Sequence, residues 1–272
     1  LVYLDSHRVL KMDQSLFPVE PPQYFPKNAV MNKMGYESID EVKKKGIHPL
    51  SVRAFKAAWE GENALVIDTR HEDEYAKGFI PGSIFIGLDG QFAPWVGALI
   101  PDLNQPILFI CEPGREEEVV VRLARVGYDN PIGYLEGGFE AWKNAGKEFD
   151  TIRSIDVDQF AEEYKHHEAD SIMDVRRPGE YSAEHIKDAD NFPLDYLNDF
   201  MSDLDKNKEY FVHCAGGYRS VIACSILKSR GFDKVVNIEG GFKAIQESGK
   251  FELTDYVCPN TLKRQKAKEV TA

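Results

Sequence analysis

The feature that most constrains the fold of this chain is an internal repeat. Its two halves carry the same signals in the same order: a capped helix start, a short apolar strand with a charged end, and a cysteine directly after another apolar strand. These cysteines are Cys111 and Cys214, and each is followed 26 residues later by a Gly-Gly-Phe segment, which begins at Gly137 and Gly240 respectively. The chain is therefore predicted to contain two copies of one domain.

Each half alternates short apolar strands with amphipathic helices. This alternation is typical of an α/β fold in which a parallel sheet is covered by helices on both faces. The 272 residues, 43% of them hydrophobic, are enough for two such domains. We place the first domain at residues 48–149 and the second at residues 150–258. Ligands of parallel sheets bind at the carboxyl ends of the strands, where both cysteines are expected to lie.

The segments that flank the two domains differ from them in composition. Residues 1–47 begin with a stretch rich in proline and aromatic residues that has neither helical nor strand periodicity, so they are predicted to form an extended arm and a linker. Residues 259–272 are basic and also lack apolar periodicity. They are predicted to form a frayed tail.

Charge and cysteine content argue against several classes of function. The net charge is −12, from 33 basic and 45 acidic residues, which predicts that the chain binds neither nucleic acid nor an anionic membrane. The sequence has no apolar run long enough to span a membrane and no recognisable secretory signal. Its four cysteines lack the close pairing of disulfide or metal frameworks, so we expect a cytoplasmic location.

The second cysteine lies in a loop that suits a nucleophile. Residues 210–213 are predicted to form a buried strand, Cys214 follows, and a helix is predicted to begin a few residues later. A loop this short turns its free backbone N–H groups toward the cysteine sulfur and so creates an anion-binding concavity. We therefore expect Cys214 to be a thiolate nucleophile, in preference to the alternative of a buried core cysteine.

The neighbours of Cys214 are assigned supporting roles. Gly216 and Gly217 can adopt positive φ angles and leave room beside the backbone. Arg219 adds a fixed positive charge with several donors, so Cys214 and Arg219 are the predicted catalytic residues. Backbone N–H groups of the loop are predicted to bind the anionic end of the substrate, and the residues concerned are Ala215, Gly216, Gly217, Tyr218 and Ser220.

This loop resembles the active loop of the rhodanese family of sulfurtransferases, which runs cysteine, four residues, arginine, and then serine or threonine. Residues 214–220 match that pattern, and residues 174–176 and 239–242 also resemble rhodanese signatures. The resemblance implies that Cys214 takes a sulfane sulfur from a small anionic donor, such as thiosulfate or a persulfide. It also implies that a Cys214 persulfide passes this sulfur to a thiol acceptor without a metal or a cofactor.

Two other functions are open alternatives. Protein tyrosine phosphatases have five residues between cysteine and arginine, which form a wider ring for a tetrahedral phosphate, so the shorter loop here disfavours a phosphatase or arsenate reductase. A non-catalytic interaction module would dock a partner and leave the thiol unused.

For Asp174, Arg176 and Glu180 we expect a structural role, as an ion-pair network that fixes the loops around the sheet.

The first copy keeps its cysteine but loses much of what would activate it. After Cys111, Pro113 removes one inward N–H group, the arginine lies one position early, and Glu117 replaces the serine. The neighbouring carboxylates would oppose a thiolate. The first domain is therefore predicted to be inactive and to shape the mouth of the second site.

The N-terminal segment is similar to the link that joins a metallo-β-lactamase-fold persulfide dioxygenase to tandem rhodanese domains in fusion proteins. This similarity covers residues 1–35. It implies an association with a persulfide dioxygenase module, whereas the metal-binding module itself is absent from the sequence.

Overall fold

The computed structural model describes residues 38–167, 171–258 and 261, which form two five-stranded sheets. The strands are β1 Pro49–Leu50, β2 Leu65–Asp68, β3 Ile84–Phe85, β4 Ile107–Ile110, β5 Pro131–Leu135, β6 Arg153–Ile155, β7 Ile172–Asp174, β8 Ala189–Asn191, β9 Tyr210–His213 and β10 Val235–Ile238. The helices are α1 Ile39–Gly46, α2 Val52–Gly61, α3 Glu72–Lys77, α4 Phe92–Leu99, α5 Glu116–Ala124, α6 Gly138–Asn144, α7 Val157–Tyr164, α8 Pro178–Ala183, α9 Leu197–Phe200, α10 Tyr218–Ser229 and α11 Gly241–Ser248.

The second sheet repeats the strand order of the first. The first sheet runs β1-β5-β4-β2-β3 and the second runs β6-β10-β9-β7-β8. All neighbouring strands within each sheet are parallel. The prediction of two α/β domains, each with a parallel sheet and surrounding helices, is confirmed. The strands that precede Cys111 and Cys214 are β4 and β9, and each occupies the centre of its sheet.

A buried ion pair occupies the same place in both domains. Asp174 at the end of β7 binds Arg176 at 2.6 Å, and the guanidinium lies 3.8 Å above the ring of Phe242. Asp68 and Arg70 form the equivalent pair in the first domain, at 2.7 Å. Both carboxylates are fully buried, so each depends on its arginine to offset the loss of hydration. This geometry agrees with the structural role predicted for Asp174 and Arg176.

A helix occupies part of the predicted linker. Helix α1 begins at a capping box, in which the Ser38 side chain accepts a hydrogen bond from the Glu41 N–H and the Glu41 carboxylate reaches back to Ser38. Its last residue packs so closely on the first domain that a Cβ on Gly46 would lie 2.7 Å from Val120. Residues 39–46, inside the predicted linker, therefore form a helix that packs on the first domain. Helix α1 is mostly polar and only its residues Val42 and Gly46 are buried, so the sequence shows little apolar periodicity there.

The other predictions for the flanking segments concern residues that the structure does not describe. The extended arm and the resemblance to a fusion link both lie on residues 1–35, outside the described residues. The predicted tail also lies outside them, except for residue 261.

Helix α10 joins the two domains. One side of it covers its own sheet, and another side packs on β3, the edge strand of the first sheet. The Phe85 N–H of the first domain donates a hydrogen bond to Ser225 Oγ at 2.9 Å. Lys228 forms an ion pair at 3.1 Å with Asp150, the first residue of the second domain, whose backbone pairs with Phe79 of the first domain. The first domain therefore holds in place the helix that begins directly after the Cys214 loop.

Candidate active site

Cys214 lies at the carboxyl end of β9, and α10 begins at Tyr218. Three residues connect the cysteine to the helix, one fewer than the four loop residues that the sequence predicts. Gly217 adopts a φ of 120°, and its N–H donates a hydrogen bond to the Cys214 sulfur at 3.1 Å. This backbone conformation favours glycine, which explains the residue at this position.

The remaining N–H groups of the loop and the first helical turn are available to a ligand. Within the described part of the chain they have no hydrogen-bond acceptor, and they belong to Ala215, Gly216, Tyr218, Arg219 and Ser220. The first N–H groups of a helix have no partner inside the helix, so they bind anions readily. The backbone around Cys214 is therefore suited to hold negative charge on sulfur.

The N-terminus of α11 sets the direction of two of these N–H groups, those of Ala215 and Gly216. The Phe242 N–H donates to the Cys214 carbonyl at 2.6 Å, and the Lys243 N–H donates to the Ala215 carbonyl at 3.2 Å. The peptide bonds that follow Cys214 and Ala215 are trans, so the N–H group of each bond points opposite to its carbonyl and away from α11. Gly241 permits this approach, since a Cβ there would lie 2.5 Å from the Cys214 carbonyl oxygen. The sequence pattern identified this segment but not its role as a support.

Arg219 forms an ion pair that the sequence did not predict. Its guanidinium donates two hydrogen bonds to the Glu180 carboxylate, at 2.7 and 2.8 Å. Burial would raise the pKa of Glu180, but the hydrogen bonds and charge of Arg219 outweigh burial and hold that pKa below its usual value. The positive charge predicted to face the sulfur is therefore balanced by a carboxylate. Glu180 has the structural role expected for it.

The side chains of two predicted binding residues point away from the ligand position. Ser220 is fully buried, and its hydroxyl donates to the Gly217 carbonyl at 2.7 Å and lies 2.6 Å from Asn237 Oδ1. The Tyr218 hydroxyl donates to the Gly87 carbonyl of the first domain at 2.8 Å. These residues can therefore offer only their N–H groups to a substrate. Asn237 has no signal in the sequence that would identify it.

His213, the residue before the nucleophile, is fully buried and its Nε2 atom has no hydrogen-bond partner. That atom lies 3.9 Å from the Asp174 carboxylate. Burial lowers the pKa of His213, and the attraction of Asp174 does not compensate for it. His213 is therefore neutral in the folded protein at neutral pH.

We expect His213→Ile to reduce the acid sensitivity of the fold. The folded pKa of His213 is depressed, so below the unfolded value of about 6.5 the unfolded chain binds a proton that the folded chain does not. His213 alone should therefore lower the free energy of unfolding by up to about 1.4 kcal/mol for each pH unit that the pH falls. Isoleucine is the equivalent residue, Ile110, in the first domain. Urea unfolding at ~pH 7.5 and ~pH 5.5 measures the effect, and an equal pH dependence in both proteins would contradict it.

Cys111 lies in a different electrostatic environment. Burial, with the charges of Glu116 and Asp68, raises the pKa of Cys111 to about 12. Arg115 does not offset this, because its guanidinium binds Asp89 at 2.9 and 3.0 Å. These features agree with the prediction that Cys111 stays protonated at neutral pH.

The described residues contain no group of three or more His, Cys, Asp or Glu side chains that could hold a metal ion. None of the helices in this part of the chain has the length and apolar character needed to cross a bilayer. The remaining cysteines differ in exposure, since Cys224 is buried within α10 and Cys258 is exposed.

The family model of the rhodanese-like domain matches residues 51–145 and 156–248. The chain belongs to the rhodanese-like domain family. Each match falls inside one predicted domain and includes one of the two cysteine loops, so both halves are rhodanese-like domains.

Individual relatives resemble parts of this rhodanese-like chain. Over 98 residues it is 29% identical to a sulfurtransferase of Allochromatium vinosum, which covers 36% of this chain and 92% of that protein. Over 108 residues it is 31% identical to YrkF of Bacillus subtilis, provisionally named a sulfur carrier protein. This match covers 40% of this chain and 56% of YrkF. A thiosulfate sulfurtransferase structure from Pseudomonas aeruginosa matches at 22% identity with a TM-score of 0.34. This match covers 78% of this chain and 44% of that one. The chain thus spans about half the length of the last two proteins.

Proposed function

We propose that this protein is a sulfurtransferase in which Cys214 carries the transferred sulfur as a persulfide. The observation that supports this best is the set of unpaired N–H groups around Cys214, with the Gly217 N–H donating to its sulfur at 3.1 Å. A persulfide carries its negative charge on the outer sulfur, and backbone donors fixed in advance around that atom would stabilise it. The relative named a sulfurtransferase supports the same reaction class.

In the first half-reaction, the Cys214 thiolate attacks the sulfane sulfur of thiosulfate. The donor S–S bond breaks, sulfite leaves with the electron pair, and the enzyme keeps Cys214–S–S⁻. A persulfide donor reacts in the same way and releases a thiolate. The charge on both sides is equal, so this step needs no general base, metal or external oxidant.

In the second half-reaction, an acceptor thiolate attacks the outer sulfur and the Cys214 thiolate leaves. Cys214 is only 1% exposed, so a large acceptor cannot approach Sγ itself. The outer sulfur of the persulfide lies about 2 Å beyond Sγ, which brings the transferable atom nearer to the mouth of the site. Arg219, which follows the Cys214 loop, is paired with Glu180 at 2.7 Å, so the two side chains together carry no net charge.

Intact-mass spectrometry after incubation with thiosulfate, and separately with small-molecule persulfides, tests this function. We expect a gain of one sulfur atom in the wild type and in Cys111→Ser, and no gain in Cys214→Ser. Peptide mapping should place the added sulfur on Cys214. Sulfur transfer by Cys214→Ser would overturn the proposed mechanism. A wild-type protein that accepts sulfur from none of these donors would favour an interaction module instead.

A further inference from the structure

Residues 87–90 of the first domain, here named the bridge segment, contact both cysteine loops. On one side, Arg115 of the Cys111 loop donates hydrogen bonds to Asp89 at 2.9 and 3.0 Å. On the other side, Tyr218 at the end of the Cys214 loop donates to the Gly87 carbonyl at 2.8 Å. The two loops belong to different domains, and this segment connects them physically.

The bridge segment holds the Tyr218 ring tightly. A Cβ on Gly90 would lie 2.2 Å from Cζ of that ring, so the backbone of Gly90 is in direct contact with it. Phe85 packs edge-on against the ring, with centroids 5.6 Å apart. Arg122 also holds the bridge segment, because its guanidinium donates a hydrogen bond to the Leu88 carbonyl at 2.7 Å. The ring therefore cannot shift unless the bridge segment also shifts.

The position of Tyr218 affects the chemistry of Cys214 through the backbone. Tyr218 is the first residue of α10, and its N–H is one of the unpaired donors near the sulfur. The other end of the loop is already fixed by the hydrogen bonds from α11. Sulfur transfer requires the donors to stay within about 0.5 Å of the productive geometry, so an unanchored Tyr218 would weaken them.

We propose that the bridge segment transmits the arrangement of the Cys111 loop to the Cys214 loop, with Arg115, Asp89 and Tyr218 as positioning residues that keep the ring of N–H groups in sulfur-accepting geometry. This inference rests on the proposed function. It gives the first domain a part in the reaction although its own cysteine is protonated, and it assigns Arg115 a purpose other than activating Cys111.

Single-turnover loading of Cys214 with thiosulfate, followed by intact-mass spectrometry, tests the bridge. Tyr218→Phe removes only the hydroxyl and should slow loading about tenfold, because the loop loses its hydrogen bond to the Gly87 carbonyl. Arg115→Gln, which touches no residue of the Cys214 loop, should slow loading about threefold to fivefold. Arg53→Gln is the matched control, since Arg53 is an exposed arginine on α2 of the same domain, and it should load at the wild-type rate.

The double variant separates positioning from a general loss of stability. If the bridge acts through the Tyr218 hydroxyl, then Tyr218→Phe/Arg115→Gln should load no more slowly than Tyr218→Phe, because the hydrogen bond from that hydroxyl to Gly87 is already absent. Effects that multiply, or Arg115→Gln loading at the wild-type rate, would overturn the proposal. Thermal unfolding of each variant shows that the protein remains folded during the assay.

A second readout distinguishes failure of the bridge from failure of the proposed function. The rate at which iodoacetamide alkylates Cys214 depends on the surroundings of the sulfur and not on sulfur transfer. If the wild type accepts no sulfur, the proposed function fails, and the same variants can still be compared by alkylation. Slower alkylation in Tyr218→Phe and Arg115→Gln, but not in Arg53→Gln, would support the bridge. Equal rates in all four proteins would overturn it.

Discussion

Gly241→Ala is expected to slow sulfur loading of Cys214 by at least about 100-fold, because a displacement of about 1 Å at a reacting group has this order of effect. A Cβ at this position would lie 2.5 Å from the Cys214 carbonyl oxygen and 2.9 Å from the backbone of the next two residues. These contacts are with backbone, which cannot rotate aside. The loop would have to move away from α11 and lose the hydrogen bonds that orient its N–H groups.

Gly138→Ala is the matched control for this substitution. Gly138 occupies the equivalent position in the first domain with a similar φ, 62° against 57° for Gly241. The backbone strain of an alanine, about 1 kcal/mol, should therefore be alike in the two variants. The nearest atom to a Cβ on Gly138 is the Cys111 carbonyl oxygen at 3.6 Å, an ordinary contact.

Loading rates and urea unfolding of both variants measure the difference. Gly138→Ala should load Cys214 at a rate close to that of the wild type, with only the stability loss due to backbone strain. Gly241→Ala should lose more stability than this and should lose the reaction. Equal behaviour of the two variants would show that strain, and not the support of the loop by α11, explains the requirement for glycine.

The sequence predicts the Cys214 loop well because its main determinants are local. A buried strand, a cysteine, two glycines and a helix start within nine residues define the turn and its free N–H groups. Apolar periodicity locates the start of a helix less well: it marks α5 only from Val119, whereas the helix begins at Glu116. Periodicity reports the buried face of a helix, and a polar first turn does not contribute to it.

The contacts that the sequence did not predict join residues far apart in the chain. The carboxylate that binds Arg219 belongs to Glu180, 39 positions earlier, and the carbonyl that binds the Tyr218 hydroxyl is 131 positions away. Pairing between such positions depends on how the two sheets and α10 pack, which no local pattern encodes. The sequence therefore predicted the loop around Cys214 but assigned Arg219 a charge that the fold neutralises.

The second large effect is expected from Arg219→Gln, which should slow sulfur loading about 100-fold. This substitution leaves the Glu180 carboxylate near the loop without the guanidinium that it binds at 2.7 and 2.8 Å. An unbalanced carboxylate there repels an anionic donor and the persulfide formed from it. Glu180→Gln alone should have a smaller effect, within about tenfold, because the charge that remains is positive.

The double variant Arg219→Gln/Glu180→Gln distinguishes two roles for Arg219. If its main role is to neutralise Glu180, removing both charges should restore loading to within about tenfold of the wild type. If Arg219 instead supplies charge directly to the sulfur, the double variant should be as slow as Arg219→Gln. The geometry favours the first outcome, because the Glu180 carboxylate that both Nη atoms bind offsets the charge that the guanidinium would otherwise exert on the sulfur.

The pH dependence of Arg219→Gln gives an independent check of this role. In the wild type, Arg219 holds the pKa of Glu180 below its usual value, so Glu180 remains ionised at mildly acidic pH. Without Arg219, burial is opposed only by the Arg177 N–H and the charge of Arg176, so the pKa of Glu180 should rise from its wild-type value and its carboxyl should begin to gain a proton as the pH falls toward ~5. Loading by Arg219→Gln, relative to the double variant, should therefore improve as the pH is lowered from ~7 to ~5. A ratio that does not change over this range would show that repulsion by Glu180 is not what slows the single variant.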